Sequence, residues 1–471
     1  MVFDSDYTLT IGGEGVAGAS SFEVLNPANE QVIASAPDAS SDQLDAAVDA
    51  ARAAFPAWAA TPIAERKAKV QALAGAIFAN VEELMRLLTR EQGKPHADAR
   101  NDVLGGAMWL QGAASLDLPE TVNEDSDVRR SITRHVPIGV VGAISPWNFP
   151  VLLAMFKLGP ALVAGNTVVL KPSPFTPLTT LKIGEIARSI LPPGVLNVVS
   201  GGDALGPWMT SHPGIDKISF TGSTQTGRRV MASAADSLKR ITLELGGNDA
   251  AIVLPDVDVE KVAQELFWAA FRNTGQICIA SKRMYVHKDV YEPLKKAIAD
   301  YAATVKMGDG AEQGTLLGPI QNKQQYQRVL DLIQDARDKG YSFLTGGETS
   351  DAPGYFVPIT ILDNPPEDAR IVQEEQFGPI LPLLKVDSVE EAIARANASE
   401  YGLGGSVWSA DADAALKVGE QLQTGTVWIN ETQHLSPLVS FAGHKQSGVG
   451  VENGIDGLLE YTNTQTIVVR K

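Results

Sequence analysis

From Val140 onward, short runs of branched apolar residues alternate with stretches of helical periodicity. This alternation limits the fold more than any other feature of the chain. Strands are predicted at 140–144, 167–171, 195–200, 217–220 and 241–244, separated by helices at 151–164, 177–189 and 226–235. A second series places strands at 250–254, 283–287, 381–386, 405–408 and 426–429, and helices at 259–271, 323–339, 389–397 and 412–422. Strand–helix–strand units of this kind build parallel sheets. The two series meet at Gly246-Gly247-Asn248, so the pattern predicts an α/β protein of two doubly wound domains hinged near Gly246. Residues 42–90 read as two amphipathic helices, with Leu44, Ala47, Val48 and Ala51 at helical spacing and Ser41 or Asp42 as cap. Two polar, alternating segments, 129–136 and 465–470, have strand character but no partner close in sequence. Exposed strand edges are usually covered. That leaves either a small sheet docking another subunit or a solvated hairpin on the monomer.

Against 39 basic residues stand 56 acidic ones, for a formal charge of −17, which excludes a nucleic-acid partner on electrostatic grounds. The most apolar stretch, 136–170, is broken by Pro137, Pro146, Pro150, Lys157 and Pro160. A membrane helix needs about 20 nearly uninterrupted apolar residues, so this is core and no membrane contact is expected. The first residues show no basic segment followed by an apolar one, and the expected location is cytoplasmic. His96, His135, His212, His287, His434 and His444 lack metal-ligand spacing, so no metal is expected.

Cys278 is the only cysteine in 471 residues. It can close no disulfide within the chain and build no thiolate cluster. It is therefore a small buried hydrophobe or a nucleophile. Gly275 and Gln276 interrupt a helical run just before it, which places the thiol on a loop, where catalytic groups concentrate. Upstream, Leu243-Glu-Leu-Gly-Gly-Asn-Asp249 sets one carboxylate between an apolar strand and two glycines. Glu244 reads as a base for water in a semi-apolar setting, or as a partly buried structural carboxylate.

Seven strings run in order: Pro146-Trp-Asn-Phe-Pro150, Lys171-Pro-Ser173, Phe220-Thr-Gly-Ser-Thr224, Glu244-Leu-Gly-Gly247, Gly275-Gln-Ile-Cys278, Glu374-Glu-Gln-Phe-Gly-Pro379 and Lys445-Gln-Ser-Gly448. With 278 − 244 = 34 residues between acid and thiol, the chain resembles the aldehyde dehydrogenase superfamily over essentially its whole length. The resemblance implies a Rossmann-like cofactor domain (1–118 and 137–246), a catalytic domain (247–456) and oligomerisation strands (119–136 and 457–471). It implies that Cys278 adds to an aldehyde carbonyl, giving a thiohemiacetal, and that a thioester forms after hydride leaves. Asn148 and the Cys278 backbone N–H would stabilise the alkoxide, and Glu244 would activate the hydrolytic water. Asn148 also reads as a turn-forming Asn between two prolines. Lys157 and Glu452 match positions implicated in proton relay; Lys157 also reads as a helix-surface lysine.

The implied cofactor is NAD, with NADP left open. Gly222 and Ser223 lie in Gly222-Ser-Thr-Gln-Thr-Gly227, after a strand and at a helix start, where backbone donors suit a pyrophosphate. By resemblance, Ile144, Ser145, Pro146, Trp147, Lys171, Ser173, Leu245 and Gly246 would line the dinucleotide groove, Glu375 would accept the nicotinamide-ribose hydroxyls, and Phe377 would wall the nicotinamide. Many NAD-preferring members carry Glu three residues after the lysine, and here that position is Pro174. The implied aldehyde tunnel holds Phe149, Leu152, Leu153, Phe156, Ile277, Ile279, Leu435 and Phe441. Phe156 stands where members acting on succinic semialdehyde tend to hold arginine, so an apolar aliphatic or aromatic aldehyde is expected. A homodimer or homotetramer is expected. The rival readings are a CoA-acylating relative, which generally lacks the Glu244 base, a catalytically idle crystallin-like structural protein, and a cysteine hydrolase without dinucleotide.

Overall fold

The computed structural model describes residues 6–348 and 353–471. Its first sheet is built on five parallel strands, all but the last wholly buried: Val140–Ile144, Thr167–Lys171, Leu196–Val198, Lys217–Thr221 and Arg240–Glu244. In chain order they lie 3-2-1-4-5, with Val140–Ile144 central between Thr167–Lys171 and Lys217–Thr221. The chain winds outward from that strand in both directions, which opens a crevice at its carboxyl end. Two short strands at one edge and Gly448–Val449 at the other, antiparallel to Arg240–Glu244, complete the sheet.

A second sheet has six parallel strands, Asp249–Val253, Ser281–His287, Thr360–Asp363, Ile380–Val386, Gly404–Trp408 and Thr426–Ile429, with Phe343–Thr345 antiparallel at one edge. The doubly wound α/β class read from the sequence is thus the class observed. The third sheet pairs the two orphan segments with each other. Thr462–Arg470 runs antiparallel to Arg129–Pro137 over nine residues, and Thr121–Asp125 flanks it. No described helix is long and apolar enough to cross a membrane.

Three expectations need correction. Residues 42–90 form three helices, Ser41–Ala60, Ile63–Ala79 and Val81–Gln92, because Pro62 and Asn80 break the run. The first cap is Ser40, in a reciprocal capping box with Gln43. Gly246 and Gly247 do not form an open, flexible loop: both are buried. A Cβ on Gly246 would lie 2.5 Å from Glu375 Oε2, and one on Gly247 would run into the Cys278 carbonyl oxygen. The two glycines allow three functional segments to meet at van der Waals distance.

Candidate active site

Pro150 at the first helical turn starts Pro150–Ala164, and Gly165 in the left-handed region ends it. The loop from the central strand to this helix carries Asn148 at the crevice. Asn148 is 4% exposed, and its Nδ2 donates to the Gln276 carbonyl at 3.0 Å, joining the loop to the thiol segment. Its own carbonyl accepts from Lys94 Nζ at 2.7 Å and from Asn273 Nδ2 at 3.2 Å. Lys94 is ion-paired with Asp102 at 2.9 Å, both side chains sealed from solvent, and its amine sits 3.8 Å from the Phe149 ring centroid. Asp102 also accepts from the Leu152 N–H at 2.8 Å. Lys94 and Asp102 escaped sequence reading, although Gly93-Lys94-Pro95, where a helix stops at a left-handed glycine, was the available signal.

The thiol loop is strained. After helix Val259–Phe271, Asn273, Thr274 and Gly275 are consecutively left-handed, at φ 50°, 57° and 72°. Such backbone persists only where its surroundings enforce it. Thr274 donates to the Gly318 carbonyl at 2.8 Å, Gln276 donates to the Asn273 carbonyl at 3.0 Å, and Lys282 donates from beneath to the carbonyls of Ala270, Gly378 and Ile380. With no acid beside it, burial lowers the Lys282 pKa to about 7. Cys278 emerges partly exposed. Burial first, then Asp249, Glu244 and Glu375, push its pKa well above the ordinary thiol range. The sulfur and the Glu244 carboxylate therefore share one electrostatic neighbourhood.

Glu244 ends its strand 3% exposed, and neither carboxylate oxygen has a hydrogen-bond partner. Burial, then the charge of Glu452, raises its pKa well above the carboxylate range, while Lys157 pulls it down. Lys157 is wholly buried and donates to Glu452 Oε1 and Thr221 Oγ1, both at 2.7 Å, so the helix-surface reading of Lys157 does not hold. A buried carboxyl without a hydrogen-bond partner, its pKa raised beside a buried ion pair, is the setting in which acid–base groups are found.

Hydrogen bonds and ring contacts tie several of the residues expected to hold a dinucleotide to one another. Ser145 Oγ is buried without a partner, and its N–H donates to the Lys171 carbonyl at 3.1 Å. Trp147 meets Phe377 edge-on, ring centroids 5.3 Å apart. Lys171 is 6% exposed, and burial, partly offset by Asp203, lowers its pKa to about 8. Ser173, also buried, accepts from the Phe175 N–H. Ser223 caps helix Thr224–Ala235, and the Gly222 N–H donates to the Glu244 carbonyl at 3.0 Å. Leu245 fills the space over Gly227, and Glu375 Oε1 accepts from the Gly247 N–H at 2.9 Å. The Glu375 pKa is raised to about 7 by burial. A free hydroxyl, a lysine amine and a helix start at the topological switch fit a dinucleotide.

Ile277, Ile279 and Phe441 cluster with Phe149, Leu435 and Cys278. Leu152, Leu153 and Phe156 belong to the first sheet's core, and Leu435 touches both groups. Phe156 is 2% exposed, its ring stacked 4.8 Å from Trp109, whose Nε1 donates to Asn453 at 2.8 Å. The sequence reading missed Trp109. Among the described residues, no group of three or more His, Cys, Asp or Glu could hold a metal.

Known proteins resemble this chain in sequence and fold. The model of the aldehyde dehydrogenase family matches residues 16–467. A Pseudomonas sp protein named "Probable aldehyde dehydrogenase" is 44% identical, covering 100% of this chain and 96% of its own length. Phenylacetaldehyde dehydrogenase of Pseudomonas fluorescens is 39% identical over 98% of this chain and 96% of that protein. The NAD+ complex of an aldehyde dehydrogenase from Bacillus cereus superposes with a TM-score of 0.97 at 38% identity, covering 99% of this chain and 97% of that one. The chain belongs to the aldehyde dehydrogenase family. Its members oxidise aldehydes to carboxylic acids with NAD(P), and this chain is an oxidoreductase of that kind.

Proposed function

We propose that Cys278, Asn148 and Glu244 carry the reaction as nucleophile, oxyanion donor and hydrolytic base. The observation behind this reading is Glu244: a buried carboxyl with both oxygens free, electrostatically linked to Cys278 on one side and to the Lys157–Glu452 pair on the other. The Cys278 sulfur adds to the aldehyde carbonyl as the thiol gives up its proton, which passes to solvent. The resulting alkoxide is held by the Asn148 amide and the Cys278 N–H, each such donor contributing about 3–4 kcal/mol to the barrier. A nicotinamide held here would accept the hydride, leaving a thioester on Cys278. Glu244 then takes a proton from water as the water attacks the thioester, the C–S bond breaks, and the acid leaves with the Cys278 sulfur set free. Ser145, Trp147, Lys171, Ser173, Gly222, Ser223, Glu375 and Phe377 would hold the dinucleotide, with Ile144, Pro146, Leu245 and Gly246 shaping the groove. NAD is the assigned cofactor, in line with the NAD+ complex of the Bacillus cereus relative; Pro174 offers no carboxylate to exclude a 2′-phosphate, so NADP is left to the assay.

The residues expected to line the aldehyde tunnel, Phe149, Leu152, Leu153, Phe156, Ile277, Ile279, Leu435 and Phe441, are all apolar, which supports an apolar aliphatic or aromatic aldehyde. The relative named for phenylacetaldehyde agrees with that reading. The proposed division is 1–118 with 137–246 for the cofactor, 247–456 for catalysis, and 119–136 with 457–471 for oligomerisation. The separate cores of the two large sheets support it. Exposed Val122, Val468 and Val469 on the third sheet favour a homo-oligomer. A single cysteine, needing to stay reduced, suits the cytoplasm. A panel of aldehydes assayed with NAD and NADP, with and without CoA, tests the assignment. Turnover of aromatic or aliphatic aldehydes independent of CoA is expected, and strict dependence on CoA would overturn the hydrolytic role of Glu244.

A further inference from the structure

Gln321 is buried just before Asn322, the cap of helix Lys323–Asp338. Its side-chain Nε2 donates to the Glu91 and Phe175 carbonyls, both at 3.0 Å, and its Oε1 accepts from Asn322 Nδ2 at 3.2 Å. Its backbone N–H donates to Gln276 Oε1 at 2.9 Å. One residue therefore holds the loop after strand Thr167–Lys171 with its side chain and the thiol loop with its main chain. The links run on in both directions. The Phe175 N–H donates to Ser173 Oγ at 3.3 Å. The far end of that loop is fixed by the Glu91 carboxylate, which accepts from the Leu178 and Thr179 N–H groups at 2.7 and 2.9 Å. On the other side, Gln276 is buried, its Nε2 donates to the Asn273 and Pro319 carbonyls, and its own carbonyl accepts from Asn148 Nδ2. Ser173, Phe175, Gln321, Gln276 and Asn148 are thus joined in series, each to the next by a hydrogen bond, and Cys278 follows two residues after Gln276. Burying two amide side chains costs free energy unless their polar atoms find partners, and an apolar residue would fill the same space without that demand. Satisfying the end of helix Val81–Gln92 accounts for the bond to the Glu91 carbonyl alone. It does not account for the bonds to Phe175 and Gln276, which join segments belonging to different sheets.

We propose that Gln321 is a positioning residue: it sets the loop that follows Lys171 against the thiol loop, so that a dinucleotide seated on the first sheet meets Asn148 and Cys278 in one register. The proposal rests on Lys171 and Ser173 holding the dinucleotide. Register matters because a misplacement of about 1 Å between reacting groups can cost about a hundred-fold in rate. Gln321 touches neither the thiol nor the dinucleotide loop's lysine; it acts through Phe175 on one side and Gln276 on the other.

The test compares Gln321→Met, which nearly keeps the shape and loses the amide, with the parent protein. Calorimetric titration gives the affinity for NAD without aldehyde, and rapid mixing at saturating NAD gives the rate of the NADH burst. Both should fall roughly five-fold or more. Gln276→Met cuts the next link of the same series, so the burst of the double variant should be no slower than that of the slower single variant. If Gln321→Met fails to fold, Gln321→Asn, whose amide is one methylene too short for the two carbonyls, carries the same test. A lowered melting temperature with parent-like affinity and burst, a loss confined to one of the two, or losses that multiply in the double variant would overturn the positioning role. Lys171→Met should weaken NAD binding whatever Gln321 does. Parent-like NAD affinity in Lys171→Met would instead remove the dinucleotide reading beneath the proposal.

Discussion

Lys157 and Glu452 form an ion pair sealed inside the protein, Nζ to Oε1 2.7 Å, and the Glu452 charge raises the pKa of Glu244 beside it. Two groups far apart in sequence thus set the protonation of the proposed base. Glu452→Gln removes a charge that favours protonated Glu244 and leaves Lys157 as an unpaired cation, which also favours the carboxylate. Both effects lower the Glu244 pKa, so the rise of deacylation rate with pH should move to lower pH. Leaving one partner of a buried pair alone should also cost about 3–5 kcal/mol of stability. A pH–rate profile and thermal unfolding of the variant measure the two effects.

Glu375 yields a pH prediction of opposite readout. Burial raises its pKa to about 7, above its unfolded value. For such an acid, the favourable contribution to stability is complete below the unfolded pKa and is lost as pH rises through about 7. To accept ribose hydroxyls it must be ionised. Dinucleotide affinity should therefore increase as pH rises through about 7, and Glu375→Gln should flatten that dependence. Calorimetric titration of NAD between acid and mildly basic pH checks both.

The Lys94–Asp102 pair holds the Asn148 carbonyl and the Leu152 N–H, and so fixes the loop of the proposed oxyanion donor. Lys94→Met should lose about 3–5 kcal/mol, because Asp102 is left buried and unpaired. Adding Asp102→Leu should recover much of that stability but not kcat, since the Asn148 carbonyl would still lack its lysine. Denaturant unfolding with steady-state kinetics separates the two effects.

Much of this architecture was legible in the sequence. Strands Val140–Ile144, Thr167–Lys171 and Thr426–Ile429 and helices Val259–Phe271 and Val389–Asn397 follow from apolar periodicity alone, because each faces a core directly. The helix His96–Ser115 was not read: its Gly105, Gly106 and Gly112 blur the periodicity, although they let Leu152, Val151 and Pro437 pack closely. The thiol, the carboxylate and Asn148 stand out as candidates through local strings. Lys94, Asp102, Lys282 and Trp109 do not, because their roles come from contacts across the fold. The Gly246-Gly247 pair misled in one respect: a glycine read as freedom is here a requirement for close approach.

The central claim is that Glu244 releases an acid held covalently on Cys278. Intact-mass spectrometry of Glu244→Gln, mixed with aldehyde and NAD and quenched during turnover, tests it most directly. The account predicts one NADH per site in a burst, slow turnover after it, and a stable acyl adduct on Cys278. Full turnover with no adduct on that cysteine would contradict it.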